Sequence, residues 1–107
     1  MHERRRDERH DRKLEFKVGK GGEFLKATSV NISTRGISCV VSGEVPAMNK
    51  LRVSIGLPSG GEARLLECDG VVVRSEPCEG GYSIAIYFLN IDRDGAALIK
   101  EYLESTK

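Results

Sequence analysis

Strict alternation of apolar and polar residues, repeated in one short segment after another, confines this chain to a mainly β architecture. Leu51, Val53, Ile55 and Leu57 alternate with Arg52, Ser54 and Gly56, and Tyr82, Ile84, Ile86 and Phe88 alternate through a later run. Successive side chains on a strand point to opposite faces, so each run offers one apolar face to a core and one face to water. The same period holds at Leu14, Phe16 and Val18, and again at Ile37, Cys39 and Val41. Phe24 to Val30 is expected to be the second strand of an opening hairpin, with Phe24 and Val30 in the core. A long strand is expected from about Ala63 to Arg74, in which Gly70 marks a bulge or a close backbone approach. Turns fall at Gly19 to Gly22, Ser42 to Pro46, Pro58 to Gly61 and Glu76 to Gly81, the last holding Cys78. After Asn90 the period changes: Leu98 and Tyr102, and Ile99 and Leu103, lie four apart, as on a helix that Asp92 or Asp94 can cap. Six strands and one helix predict a small closed or nearly closed barrel followed by a C-terminal helix.

Length and charge narrow the function classes. The chain has 107 residues, enough for one domain, and a formal net charge of only +1. Five of its arginines, Arg4, Arg5, Arg6, Arg9 and Arg12, crowd into the first dozen residues. Residues 1–11 are therefore expected to be a flexible arginine-rich arm, and residues 12–107 the barrel domain. A cationic arm on a near-neutral body suits a compact anion better than a long polyanion, whose binders more often spread charge over a whole face. Cys39, Cys68 and Cys78 follow no metal-ligand spacing and read as reduced thiols, the first two as small core residues. The chain has no apolar run of membrane-spanning length and no secretory signal, so a cytoplasmic protein is expected.

No catalytic constellation emerges. His2 and His10 both sit in the arm, where nothing holds a general base in place. Ser33 has neither a histidine nor a glycine elbow around it, and Gly19, Gly21 and Gly22 lack the Lys-Ser/Thr ending of a phosphate loop. No metal and no cofactor are expected, and the chain reads as a binding protein, not an enzyme. What remains is the segment Asn31-Ile32-Ser33-Thr34-Arg35-Gly36. Asn-x-Ser is a common turn in its own right, since both side chains bond nearby backbone groups. That accounts for Asn31, Ser33 and Gly36 but not for the arginines upstream.

The ordered set resembles the PilZ family, whose members bind the bacterial second messenger cyclic di-GMP. It runs from an arginine arm through a strand pair to [DN]-x-S-x-x-G, then a central hairpin, a long strand ending Val72-Val73-Arg74, a last strand ending at Phe88, and a helix. The resemblance covers nearly the whole chain. It implies a six-stranded antiparallel split barrel with a flanking helix, in agreement with the periodicity. It also implies that R-x-x-x-R falls on Arg5 and Arg9, with Arg9 seven residues before Phe16 of the first strand. Asn31, Ser33 and Gly36 take the second motif. Arg4, Arg6 and Arg35 are further candidates, Arg35 standing where a small residue is frequent in the family, so that it either adds a contact or obstructs the site.

The implied mechanism is ordering on binding. Arginine presents a planar fork that matches guanine O6 and N7, or two phosphate oxygens, with paired hydrogen bonds. Ligand would bridge Arg5 and Arg9 to Asn31 and Ser33, and the fixed arm would alter the surface offered to a downstream partner protein. The chain would act as a monomer or a homodimer. Two other readings remain: a ligand-free PilZ-like interaction module, and a small-barrel nucleic-acid binder. Aromatic content of 6% leaves few stacking platforms for the latter.

Overall fold

A computed structural model describes residues 14–20, 22–59 and 62–105. Residues 1–13, and with them the expected arm, lie outside the described residues. The elements run β1 (Glu15–Lys20), β2 (Glu23–Ile32), β3 (Gly36–Val41), β4 (Lys50–Ser59), β5 (Glu62–Cys78), β6 (Gly81–Phe88) and α1 (Arg93–Ser105). All strand pairs are antiparallel, and the order β1-β2-β3-β6-β5-β4 closes because β1 also pairs with β4. Closure runs over Lys17–Gly19 of β1 and Arg52–Ser54 of β4, so neither strand is left as a full free edge. The expected six-stranded barrel with a C-terminal helix is thus the observed fold.

The alternating runs fill the interior. Val18, Val53, Ile55, Leu57, Val72 and Ile84 are fully buried. Cys39 and Cys68 join them, and Val45 seals the β3–β4 connection from inside. Burial pushes the Cys39 thiol up to about 12 and that of Cys68 up to about 11, so both stay neutral. Helix α1 begins at an Asp92 cap, whose Oδ1 accepts the Gly95 N–H at 2.7 Å. It lays Leu98, Ile99 and Tyr102 against the barrel, packing on β4 and β5. Gly95 packs closely there, a Cβ standing 2.9 Å from Leu66 Cδ1, so a larger residue would make that side chain shift.

Two expectations about β2 fail. Phe24 and Val30 are 66% and 65% exposed, not core. The buried residues of the strand are Ala27, Ser29 and Ile32, a sequence that changes parity. A β-bulge between Ser29 and Asn31 inserts Val30 into the strand, so Ser29 opposes Cys39 and Asn31 opposes Ser38. Phe24 sits opposite Gly19, its ring 3.1 Å from where a Gly19 Cβ would lie, and covers backbone that has no side chain of its own.

Strand β5 repeats the device. It extends through Cys78, past the expected end at Arg74, so Cys78 stands exposed on a strand end opposite Gly81 instead of within the turn. Gly70 marks a close approach: a Cβ there would meet Ile86 Cγ2 at 2.4 Å. The bulge lies further on, between Val72 and Arg74, and Val73 is its extra residue.

Candidate ligand-binding site

The segment 31–36 connects β2 to β3 as a turn fastened by its own polar groups. The Ser33 N–H donates to the Gly36 carbonyl at 2.9 Å, and the Arg35 N–H donates to Ser33 Oγ at 3.2 Å. A serine hydroxyl accepting the amide two residues on is a local turn that fixes both its own rotamer and the following backbone. The Phe88 N–H donates to the Arg35 carbonyl at 2.9 Å and ties the turn to the end of β6. Asn31 and Ser33 are exposed on either side of the buried Ile32, so the two side chains share the outer surface.

Gly36 has a second task that the sequence did not reveal. A Cβ at this position would lie 2.2 Å from the Ile86 carbonyl oxygen, so only glycine lets β3 approach β6 this closely. Its place in the motif is therefore justified by strand packing before any ligand is considered.

The turn borders an open depression of about 230 Å³ on the outer face of the sheet. Asn31, Ser33, Arg35 and Gly36 line one side, Ser38 and Ala85 form the floor, and Val73 and Tyr87 stand on the far side. The floor is shallow because its two outward residues are small. Sequence reading found Asn31, Ser33, Gly36 and Arg35, and the fold brings these four together. It missed Val73 and Tyr87, which are 56% and 50% exposed despite their apolar bodies. Tyr87 was legible in principle, as an outward aromatic within an alternating strand. Val73 was not, because an unbroken run of three valines does not say which of them faces outward. Arg4, Arg5, Arg6 and Arg9 lie outside the described residues.

The path toward those arginines is nevertheless fixed at its root. The Leu14 N–H donates to Ser29 Oγ at 2.9 Å, and the Ser29 N–H donates to the Leu14 carbonyl at 2.8 Å. Ser29 is the one buried polar residue among those described, and this bracket satisfies its hydroxyl. It holds Leu14 two residues along β2 from Asn31.

No metal-binding cluster of histidine, cysteine and carboxylate side chains occurs among the described residues, and no described helix is long and apolar enough to cross a membrane. The exposed polar cluster on the far strands is structural. Asp69 accepts from Asn90 Nδ2 and Arg52 at 3.1 Å each, while its N–H donates to Asn90 Oδ1 at 2.7 Å, tying the end of β6 back to β5.

Among solved structures, the fold is similar to that of the Bacillus subtilis inhibitor of motility MotI/DgrA. The two are 23% identical, with a TM-score of 0.76 over 89% of this chain and 47% of that one. The chain thus spans about half the length of that protein, and the likeness is one of fold. No curated protein matches the chain. The match to the PilZ domain runs over residues 3–105, from the arginine cluster through the barrel to the last turns of α1, and the chain belongs to the PilZ domain family of cyclic di-GMP receptors and adaptors.

Proposed function

We propose that the chain is a cyclic di-GMP receptor that closes its arginine-rich leading segment over ligand seated at the Asn31–Gly36 turn. The observation that carries this reading is the Leu14–Ser29 bracket, which roots the leading segment beside the turn. Arg9 lies five residues before Leu14, a reach of at most about 17 Å, and Arg5 lies nine before it, a reach of about 31 Å. Both spans cover the depression from its root.

The size of the depression supports a closing arm. Pockets that enclose a drug-sized ligand run to roughly 300–1,000 Å³. At about 230 Å³ and open to solvent, the barrel surface provides one wall of such a site. The guanidinium groups of Arg5 and Arg9 supply the other, pairing with guanine O6 and N7 or with phosphate oxygens. Arg6 and Arg4 lie eight and ten residues before Leu14, giving reaches of about 27 and 34 Å. The Asn31 carbonyl accepts from guanine N1–H or N2–H₂. The oxygen of Ser33, already oriented by the Arg35 amide, faces the same surface. Arg35 lines the depression and adds positive charge to it. Ordering the arm opposes part of the contact energy, and the ordered arm presents a new surface to a partner protein.

Isothermal calorimetry with cyclic di-GMP tests the reading directly. Arg9→Ala should weaken binding by roughly 1.5–3 kcal/mol, the scale of a hydrogen bond to a charged group, and leave the melting temperature unchanged. A wild-type chain that gives no heat with cyclic di-GMP at high micromolar concentration would refute it.

A further inference from the structure

We infer that the first half of β5 is an interface for a second copy of this chain, joined edge to edge across a two-fold axis centred on Leu65. β5 pairs with β4 without interruption from Glu62 to Val71, but its pairing with β6 begins only at Gly70. The chain after β6 covers one more position, Asp69. Its carbonyl accepts the Leu89 N–H at 2.8 Å, and its N–H donates to Asn90 Oδ1 at 2.7 Å. Residues 62–68 have no strand on this side among the described residues. Both backbone groups of Asp69 face that side, so by period two those of Glu67, Leu65 and Ala63 face it as well. Leu65 is 63% exposed. An open edge that carries an exposed leucine is a template for another strand.

The free stretch is complementary to itself. An antiparallel copy centred on Leu65 sets Leu65 against Leu65, Ala63 against Glu67 and Arg64 against Leu66. The incoming strand starts at Glu62, opposite Cys68, and so stops one residue short of the position that Leu89 and Asn90 occupy. The edge-facing residues of the two copies can then exchange about six backbone hydrogen bonds. A groove of about 420 Å³ between this edge and the start of α1 leaves room for the strand. Charge favours the same register. Cross-strand neighbours share a face, so Arg64 of each copy lies beside Leu66 of the other. Leu66 packs at Gly95, and Asp94 lines the same groove. Neither Arg64 nor Asp94 has an ion-pair partner among the described residues. The two-fold axis offers each Arg64 the Asp94 of the other copy, while the two Leu65 side chains meet on the opposite face.

Sedimentation equilibrium of the ligand-free chain, from about 10 μM to about 1 mM, tests this. The mass should rise with concentration from one chain toward two. Leu65→Pro removes an N–H that faces the open edge and leaves the donors of the β4 ladder in place, so it should remain a monomer. Arg64→Asp should weaken the dimer about tenfold or more, and adding Asp94→Arg to it should restore much of the loss. Leu65→Cys, in a Cys78→Ser background, reads the register. A hydrogen-bonded antiparallel pair holds its Cα atoms about 5.5 Å apart, within the span of a disulfide. Oxidised glutathione should therefore crosslink two copies at position 65 and not in Lys100→Cys, which is exposed on α1. A chain that stays monomeric at the highest concentration would overturn the inference. So would a dimer unaffected by Leu65→Pro or by Arg64→Asp, or crosslinking no faster at position 65 than at position 100.

Discussion

Ser29→Ala separates the two tasks of the Leu14–Ser29 bracket. The hydroxyl is buried, with Ser29 only 6% exposed, and it accepts the Leu14 N–H at 2.9 Å. Alanine removes the acceptor and leaves a half-buried amide without its partner, a loss of about 1–2 kcal/mol. The backbone bond from Ser29 N–H to the Leu14 carbonyl survives, so the strand pairing as a whole persists. For a domain of this size that loss lowers the melting temperature by roughly 5–10 °C. The second effect falls on the ligand. Freeing Leu14 adds about one residue to the length that binding must order, worth ~1 kcal/mol of backbone entropy, or about a fivefold loss in cyclic di-GMP affinity. Amide hydrogen exchange followed by NMR gives the direct readout: the Leu14 N–H should be protected in the wild type and exchange faster in the variant. Thr28→Ala, at a position with no side-chain hydrogen bond among the described residues, is the control and should change neither quantity. A wild-type Leu14 amide that exchanges at the free-chain rate would refute the bracket. A variant that loses stability but keeps full affinity would show that the root of the arm has no bearing on binding.

Gly36→Ala should destabilise the fold by about 3 kcal/mol or more, above the usual range for overpacking, because its Cβ would meet the Ile86 carbonyl, which is backbone and cannot swing aside; a variant with native urea stability but impaired cyclic di-GMP binding would assign Gly36 to the ligand alone. Asp92→Ala removes the acceptor for the Gly95 N–H and should lower stability by about 1 kcal/mol, read by urea denaturation, with ligand affinity unchanged. The buried thiols predict alkaline sensitivity. Folded Cys39 and Cys68 ionise near 12 and 11 against an ordinary 9.0, so their neutral forms contribute full stability below pH 9. That contribution falls between pH 9 and about 11–12, by up to ~1.4 kcal/mol per pH unit for each thiol, as the unfolded chain alone releases its protons. Urea denaturation at pH 8 and 10.5 should show a smaller drop in a Cys39→Ala, Cys68→Ala double variant than in the wild type; equal drops would exclude the thiols as the cause.

Much of this molecule was legible because its strands announce themselves at period two. Leu51, Val53, Ile55 and Leu57 are buried as read, and Ile84, Ile86 and Phe88 likewise. The polar turn was legible from residue types, since asparagine, serine and glycine at positions 31, 33 and 36 have few other uses in that order. What escaped was parity. Nothing in Ser29-Val30-Asn31 or Val72-Val73-Arg74 says that one residue is surplus, and a surplus residue inverts every later inside–outside assignment on its strand. Val30 was misplaced for a simpler reason: it was read on the face of Phe24, although alternation from the buried Ala27 and Ser29 already turns it outward. Phe24 failed differently: a large aromatic was taken for core when the bare backbone of Gly19 across the strand pair gave its ring a place outside.

The positions of the two parity breaks connect fold to function. An uninterrupted strand at β2 or β5 that kept every residue would invert the inside–outside assignment beyond the bulge, for core and polar residues alike. Without the β2 bulge, Ser29 facing inward would leave Ile32 on the outer face and Asn31 inside, and the polar motif would be buried. Without the β5 bulge, Val72 facing inward would send Arg74 inward too, into a core of Ile86 and Ile84 where an unpaired guanidinium is untenable. Each bulge thus rescues the polar end of a strand whose earlier part is committed to the core. Both act on the single row that contains Ser38 and Ala85. Deleting Val30 leaves Ser29 opposite Cys39 and Asn31 opposite Ser38, and deleting Val73 leaves Val72 opposite Ile86 and Arg74 opposite Ala85, so neither deletion should turn a polar residue inward. Calorimetry should find cyclic di-GMP binding retained in both, and a folded deletion variant that no longer binds would show that the bulge backbone itself shapes the site.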